Sequence, residues 1–278
     1  MDHLPHLHRE TRAFEAAARR AATAGGAPLV PGCPGWSVTD LVAHLGAVQR
    51  LVTHIVRERL TEPPDTLANL INRTPSPGLD LSFLHLPADR TGWPDPPEDT
   101  PHLGPLPPSL VDWYAEGAAA LEDALRTAPD VHVWTWGQEQ TVGFWRRVQT
   151  VEAALHRWDA EGATGTPAPF DPALAADGVA HHLDVMVPAR RAWREAPPGS
   201  GESYRFRRTD GDGGDWTVRF DGADVVRDVP AADCAVELAG TASDLLLFLW
   251  NRLPADRAGT ARGETALLAR YPVLVPPV

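Results

Sequence analysis

The sequence predicts a mainly α N-terminal four-helix bundle followed by a smaller α+β C-terminal domain. Three features carry this reading. Four segments with apolar residues at helical spacing fall within residues 4–160. One long proline-rich connection separates the second of them from the third, as in a bundle with a crossover. Beyond a Gly/Thr/Pro stretch at 162–169, short alternating segments punctuated by Asp/Gly turns replace the helical pattern. The expected domains are therefore 1–162, which includes a Pro-rich connection at 62–108, and 170–278.

The first helix is expected over residues 4–24, with Leu7, Phe14, Ala17, Ala18 and Ala21 inward and Gly25-Gly26 as the stop. Ser37-Val-Thr-Asp40 has the form of a capping box, in which the serine oxygen and the acid satisfy orphan backbone donors. It should open a second helix from Val38 to about Leu60, with Leu41, Leu45, Val48, Leu51, Val52 and Ile55 facing in. Twelve of the 28 prolines lie between Pro63 and Pro108, which leaves little room for regular structure apart from a short helix near Leu67–Ile71. A third helix is predicted over Ser109–Thr127 and a fourth over Val142–Ala160. The second half should hold a helix over Pro172–Glu195 and strands at Ser203–Arg208, Trp216–Phe220, Ala223–Val226 and Cys234–Leu238. A helix over Leu245–Arg252 and a last turn or two at Glu264–Ala269 would complete it.

Composition narrows the function classes. Acidic residues number 37 against 25 basic ones, a formal charge of −12, and this field repels nucleic-acid phosphate and anionic lipid. All 25 basic residues are arginine, so Schiff-base and P-loop lysine chemistry are excluded. Two cysteines, Cys33 and Cys234, make no disulfide framework, the N-terminal MDHLPHLHRE has no signal-peptide pattern, and no apolar run approaches bilayer length. The expectation is a cytoplasmic protein with neither nucleic-acid nor membrane partners; the oligomeric state stays open.

Glu152 and His156 stand four residues apart on the fourth helix, at the edge of its apolar arc of Phe144, Val148, Val151 and Leu155. Beside a core they need a partner: each other, an arginine such as Arg147, or a metal. His44 borders the interior of the second helix and reads either as a satisfied core histidine or as a third ligand. A bundle can bring it opposite the other two, and a His₂Glu set with one open position describes a catalytic zinc site.

The stretches Cys33-Pro-Gly-Trp36-Ser-Val-Thr-Asp40-Leu-Val-Ala-His44-Leu-Gly46, Phe144-Trp-Arg-Arg147 and Glu152-Ala-Ala-Leu-His156-Arg-Trp-Asp159-Ala-Glu161 resemble the mycothiol-dependent maleylpyruvate isomerase family of actinobacteria, within the wider DinB-like metal-binding bundles. Gly240-Thr-Ala-Ser-Asp-Leu-Leu-Leu-Phe-Leu-Trp250-Asn-Arg252 resembles that family's C-terminal domain. The resemblance implies that His44, Glu152 and His156 bind a divalent metal, foremost zinc, and that mycothiol supplies the sulfur. It also implies an electrophilic small-molecule substrate. In the family's named reaction a thiolate adds to the double bond of maleylpyruvate, the resulting single bond rotates, and elimination yields the trans isomer. The same thiolate could serve a thiol transferase. Arg252 falls where the family carries a functional arginine, which could hold a substrate carboxylate by a bidentate pair; the alternative is a basic residue complementing a helix C-terminus. The other readings are a non-catalytic, metal-containing ligand-binding or anti-sigma-like regulatory module and a metal enzyme that uses no mycothiol.

The remaining candidates are expected to be structural. Cys33 reads as a small buried residue in a tight turn and Cys234 as strand core. His181-His182 and His3, His6 and His8 read as surface or interdomain residues, and Trp134, Trp136 and Trp145 as core packing or the rim of the bundle. Asp210-Gly-Asp-Gly-Gly-Asp215 lacks calcium-loop spacing and reads as a hairpin turn.

Overall fold

Ser37 shows how local chemistry sets the helices of the first unit. Its Oγ accepts from the Asp40 N–H at 3.3 Å, while its own N–H and hydroxyl donate to Asp40 Oδ2, both at 2.8 Å. This reciprocal cap opens α2 (Val38–Glu58), which follows α1 (Leu4–Ala24) and precedes α3 (Pro108–Ala124) and α4 (Val142–Thr164). Thr141 starts α4 with a one-way cap, accepting from the Phe144 N–H at 3.2 Å. The structure, a computed structural model, describes residues 1–64, 80–94 and 101–277. The helix expected near Leu67–Ile71 lies outside them; within 62–108 a 3₁₀ turn at Ser82–Leu84 is seen.

The chain divides into two compact units, Met1–Ala168 and Pro169–Val278. In the first, α1 packs along α4 and α2 along α3, and the pairs α1–α3 and α2–α4 close a four-helix ring. Its core holds Phe14, Leu41, Leu45, Leu110 and Tyr114, with most of the expected stripes buried and Val48 half-buried. One buried ion pair crosses the α1–α4 seam: Arg157 Nε donates to Glu10 Oε2 at 2.9 Å, and Arg157 Nη1 reaches Glu161 at 2.8 Å. α2 and α3 approach closely because residue 46 is glycine; a Cβ there would overlap the ring of Trp113, whose indole N–H donates to Leu84 O at 2.9 Å.

The second unit begins with α5 (Pro172–His181), which passes through a π-helical turn (His182–Met186) into α6 (Val187–Trp193). Pro188 has no N–H to return to the carbonyl of residue 184, and the Val187 N–H bonds His182 O, five residues back, so the helix widens ahead of the proline. Strands β1 (Gly199–Arg208), β2 (Asp215–Gly222), β3 (Asp224–Arg227), β4 (Val236–Gly240) and β5 (Thr260–Gly263) form one sheet of order β3-β2-β1-β4-β5. The pairings are antiparallel except β1 with β4. Tyr204, Phe206 and Phe220 pack against Tyr271 of α9 (Leu267–Leu274), and Phe248 of α7 (Ala242–Leu249) closes the same cluster. The short α8 (Ala255–Ala258) leads into β5.

Several expectations need correction. β5 has no alternating apolar signal because it is an edge strand, largely solvent-facing and held by backbone pairing to β4. α9 starts later than expected and runs through Pro272, because buried Tyr271 and Leu274 anchor it on the sheet. Cys234 is not strand core: it follows a 3₁₀ turn at Ala231–Asp233, ahead of β4, and is half-buried. His181 and His182 are not surface residues; they are 2% and 0% exposed, and His182 Nε2 lies 3.2 Å from the Tyr271 hydroxyl. Asp210–Asp215 is the β1–β2 hairpin connection, as expected. Gly46→Ala should destabilise the first unit by about 1–3 kcal/mol through overpacking against Trp113, measured by urea denaturation.

Candidate metal centre

Two helices and one tight loop build the site. Residues 28–38 fold back on themselves, with Leu29 bridged to Ser37 and the Val30 N–H bonded to Trp36 O at 2.9 Å. Within this loop Cys33-Pro34-Gly35-Trp36 is a turn closed by Trp36 N–H to Cys33 O at 3.0 Å. Gly35 takes φ +85°, the left-handed value that such a turn requires after proline. The loop delivers Cys33 to the flank of α4 and sets Trp36 edge-on to the His44 ring at 5.0 Å.

His44, one turn and a half into α2, faces Glu152 and His156 of α4. Its Nε2 is 3.4 Å from Glu152 Oε1, and His156 Nε2 is 3.4 Å from that same oxygen. Ligand atoms of the three residues all lie within 4.8 Å of one another. Glu152 thus pairs with the two imidazoles rather than with Arg147. The spacing suits a cation: a tetrahedral ion with bonds of ~2.0–2.1 Å holds its ligand atoms ~3.3–3.4 Å apart. Two imidazole nitrogens and one carboxylate oxygen are also a donor set that zinc accepts. Glu152 and His44 are half-buried, so the cluster borders solvent, whereas His156 is 8% exposed.

The other edge of His156 is occupied too. Its Nδ1 is 3.0 Å from Oδ2 of Asp159, a residue 1% exposed, and Cys33 Sγ donates to the same oxygen at 3.3 Å. Cys33 sits in its tight turn as expected, half-buried against the bundle core, and its thiol also bonds Asp159. Sequence reasoning passed over Asp159, although its i+3 spacing from His156 on α4 was a readable signal.

The electrostatics follow from these contacts. Burial opposes ionisation of Glu152, but hydrogen bonds from His156 and His44, with their charge, prevail and hold its pKa well below the usual value. Burial likewise opposes protonation of His156, yet its bonds to Asp159, Cys33 and Glu152 raise its pKa well above the usual value.

Arg252 lies in the second unit, just beyond α7; its N–H bonds Leu247 O at 2.8 Å and its Nη1 donates to Trp250 O at 2.8 Å. It is half-buried.

The comparisons with known proteins agree with this architecture. Residues 7–161 match the family model for the mycothiol maleylpyruvate isomerase N-terminal domain, and residues 173–270 match the MDMPI C-terminal domain. The chain belongs to the mycothiol-dependent maleylpyruvate isomerase family. A solved structure, the crystal structure of the mycothiol-dependent maleylpyruvate isomerase, aligns with a TM-score of 0.57 at 15% identity, covering 95% of this chain and 93% of that one. At that identity the likeness establishes the shared fold. No curated protein matched the chain. Membership in an isomerase family supports enzymatic activity in general, and no helix among the described residues is long and apolar enough to cross a membrane.

In the metal-free protein the cluster should make stability depend on pH in both directions. Glu152, depressed from about 4.5, contributes fully above that pH and loses its contribution as pH falls through the lower folded value. His156, raised from about 6.5, contributes fully below that pH and loses its contribution as pH rises through the higher folded value. Denaturation across the pH range should therefore show a Glu152→Gln variant losing most relative to the unaltered chain between about pH 4.5 and 6.5. Stabilisation by added zinc should grow with pH, because protons and metal compete for the imidazoles.

Proposed function

We propose that the protein is a divalent-metal enzyme, with zinc the foremost candidate, that activates mycothiol for addition to an electrophilic small molecule. The reaction is an isomerisation of the maleylpyruvate type or a thiol transfer. The observation that carries the reading is the convergence of His44 Nε2 and His156 Nε2 on Glu152 Oε1, each at 3.4 Å, on the α2–α4 seam. Family membership supports the thiol, and Cys33, the cysteine beside the cluster, is hydrogen-bonded to Asp159, which fits a sulfur that comes from a cofactor. We place the enzyme in the cytoplasm, where low-molecular-weight thiols stay reduced.

In this reading His44, Glu152 and His156 hold the ion. Bound there, zinc would act as a Lewis acid that stabilises a thiolate at neutral pH. The chain contributes the rest. Glu152 stays ionised under its two imidazole partners and keeps a full negative charge at the site. His44 packs T-shaped against Trp36, with ring centroids 5.0 Å apart. Sulfur addition turns the substrate's double bond into a single bond, rotation follows, and loss of the thiolate restores the double bond with trans geometry. Atoms and electrons balance without an oxidant.

We assign Arg252 to the substrate carboxylate, on the family resemblance of the stretch that ends in it. Its guanidinium can offer a planar fork to two oxygens and so counter charge that builds up next to a carbonyl during addition.

His44→Ala and His156→Ala should each abolish stoichiometric zinc in the purified protein by elemental analysis, while far-ultraviolet circular dichroism stays unchanged. Full metal retention in both would refute the site. Metal retained without turnover of any thiol–electrophile pair would favour the non-catalytic binding module. Arg252→Lys should lower kcat/KM by about 10-fold or more with zinc content and melting temperature preserved, since lysine cannot reproduce the fork; unaltered kinetics would remove Arg252 from the reaction.

A further inference from the structure

We propose that Asp159 is a positioning residue of the candidate metal centre: it orients His156 by accepting its Nδ1–H, so that Nε2, on the side of Glu152 and His44, is the nitrogen that gives up its proton to a metal, and it holds the Cys33 thiol on the outer edge of the imidazole. The inference rests on the reading of His44, Glu152 and His156 as metal ligands.

A neutral imidazole offers one lone pair, and the hydrogen bond on one nitrogen decides which nitrogen is free to ligate. His156 sits between two sets of donor atoms that each satisfy metal-like proximity: His44 and Glu152 on its Nε2 side, Cys33 and Asp159 on its Nδ1 side. Distances separate the two. On the Nδ1 side the contact to Asp159 Oδ2 is 3.0 Å, inside the usual hydrogen-bond range, and the sulfur lies 3.3 Å from the same oxygen. A tetrahedral zinc would hold a sulfur and an oxygen ligand about 3.6 Å apart and a nitrogen and an oxygen about 3.3 Å apart, so this side is drawn in more tightly than ion ligands would be. On the Nε2 side the two contacts are 3.4 Å, long for hydrogen bonds and close to the edge of a zinc tetrahedron. Asp159 is buried, and its Oδ2 receives both the imidazole and the thiol. This is the outer-sphere carboxylate that metal-bound histidines commonly use, here placed one helical turn beyond the ligand itself.

The test compares zinc dissociation constants for the unaltered chain, Asp159→Asn and Cys33→Ala, measured against a chromophoric chelator, with absorption spectra of the cobalt-substituted forms. Asp159→Asn should weaken zinc binding about 10–100-fold, and Cys33→Ala should leave it within about threefold. Cobalt in the unaltered chain should show no thiolate-to-metal charge-transfer band in the near ultraviolet. Unaltered zinc affinity in Asp159→Asn would overturn the inference alone. A charge-transfer band that disappears in Cys33→Ala would overturn it together with the reading of His44 and Glu152 as ligands, because the metal would then sit on the Cys33–His156–Asp159 side; the spectrum of the unaltered chain reads this even if Asp159→Asn fails to fold. An unaltered chain that binds no zinc would overturn the function reading together with this inference.

Discussion

Three ionisable side chains at the edge of an apolar helical core are costly unless they compensate one another, and the first unit is arranged around meeting that cost. His44 and His156 both address one oxygen of Glu152, and Asp159 addresses the far side of His156. Each group is satisfied by another member of the cluster, so the α2–α4 seam tolerates this polarity. The same closure explains the opposed pKa shifts of Glu152 and His156, since the contacts that favour the carboxylate also favour the imidazolium.

The cluster depends on where two helices start and how closely they pack. The Ser37–Asp40 box sets the first turn of α2, and Asp40 Oδ2 also accepts the His102 N–H at 3.0 Å, which ties the returning chain to the same cap. Two residues beyond His44, Gly46 lets Trp113 of α3 lie against α2. On the opposite side, the Arg157–Glu10 pair pins α4 to α1 immediately after His156. The faces that carry His44 and His156 are therefore held by neighbours one or two positions away as well as by the cluster's own bonds.

The second unit solves a different problem. Its sheet is covered by aromatic rings centred on Tyr271, and the π-helical turn ahead of Pro188 brings His182 against Tyr271 and Trp250. Burial, reinforced by nearby Arg190, His181 and Arg227, holds the His182 pKa well below the usual value, so this imidazole is neutral and structural in character. Arg190 stacks over the Trp250 ring at 4.2 Å, which links α6 to the segment that leads into Arg252.

Local signals in the chain were sufficient for the fold class, for the four bundle helices with their inward stripes, and for the β1–β2 hairpin, because periodicity, caps and Asp/Gly turns act over a few residues. They also placed Glu152 and His156 on one helical face, since i,i+4 spacing is a property of the helix alone. The edge strand β5, the extension of α9 through Pro272 and the burial of His181 and His182 left no such trace: each depends on a partner distant in sequence. The approach of His44 to Glu152, 108 positions away, and of Cys33 to Asp159, 126 positions away, is likewise a product of packing. Side-chain chemistry is written residue by residue, and α4 alone sets Glu152 and Asp159 on either side of His156, but the arrival of His44 on one side and Cys33 on the other depends on how α2, α4 and the 28–38 loop dock.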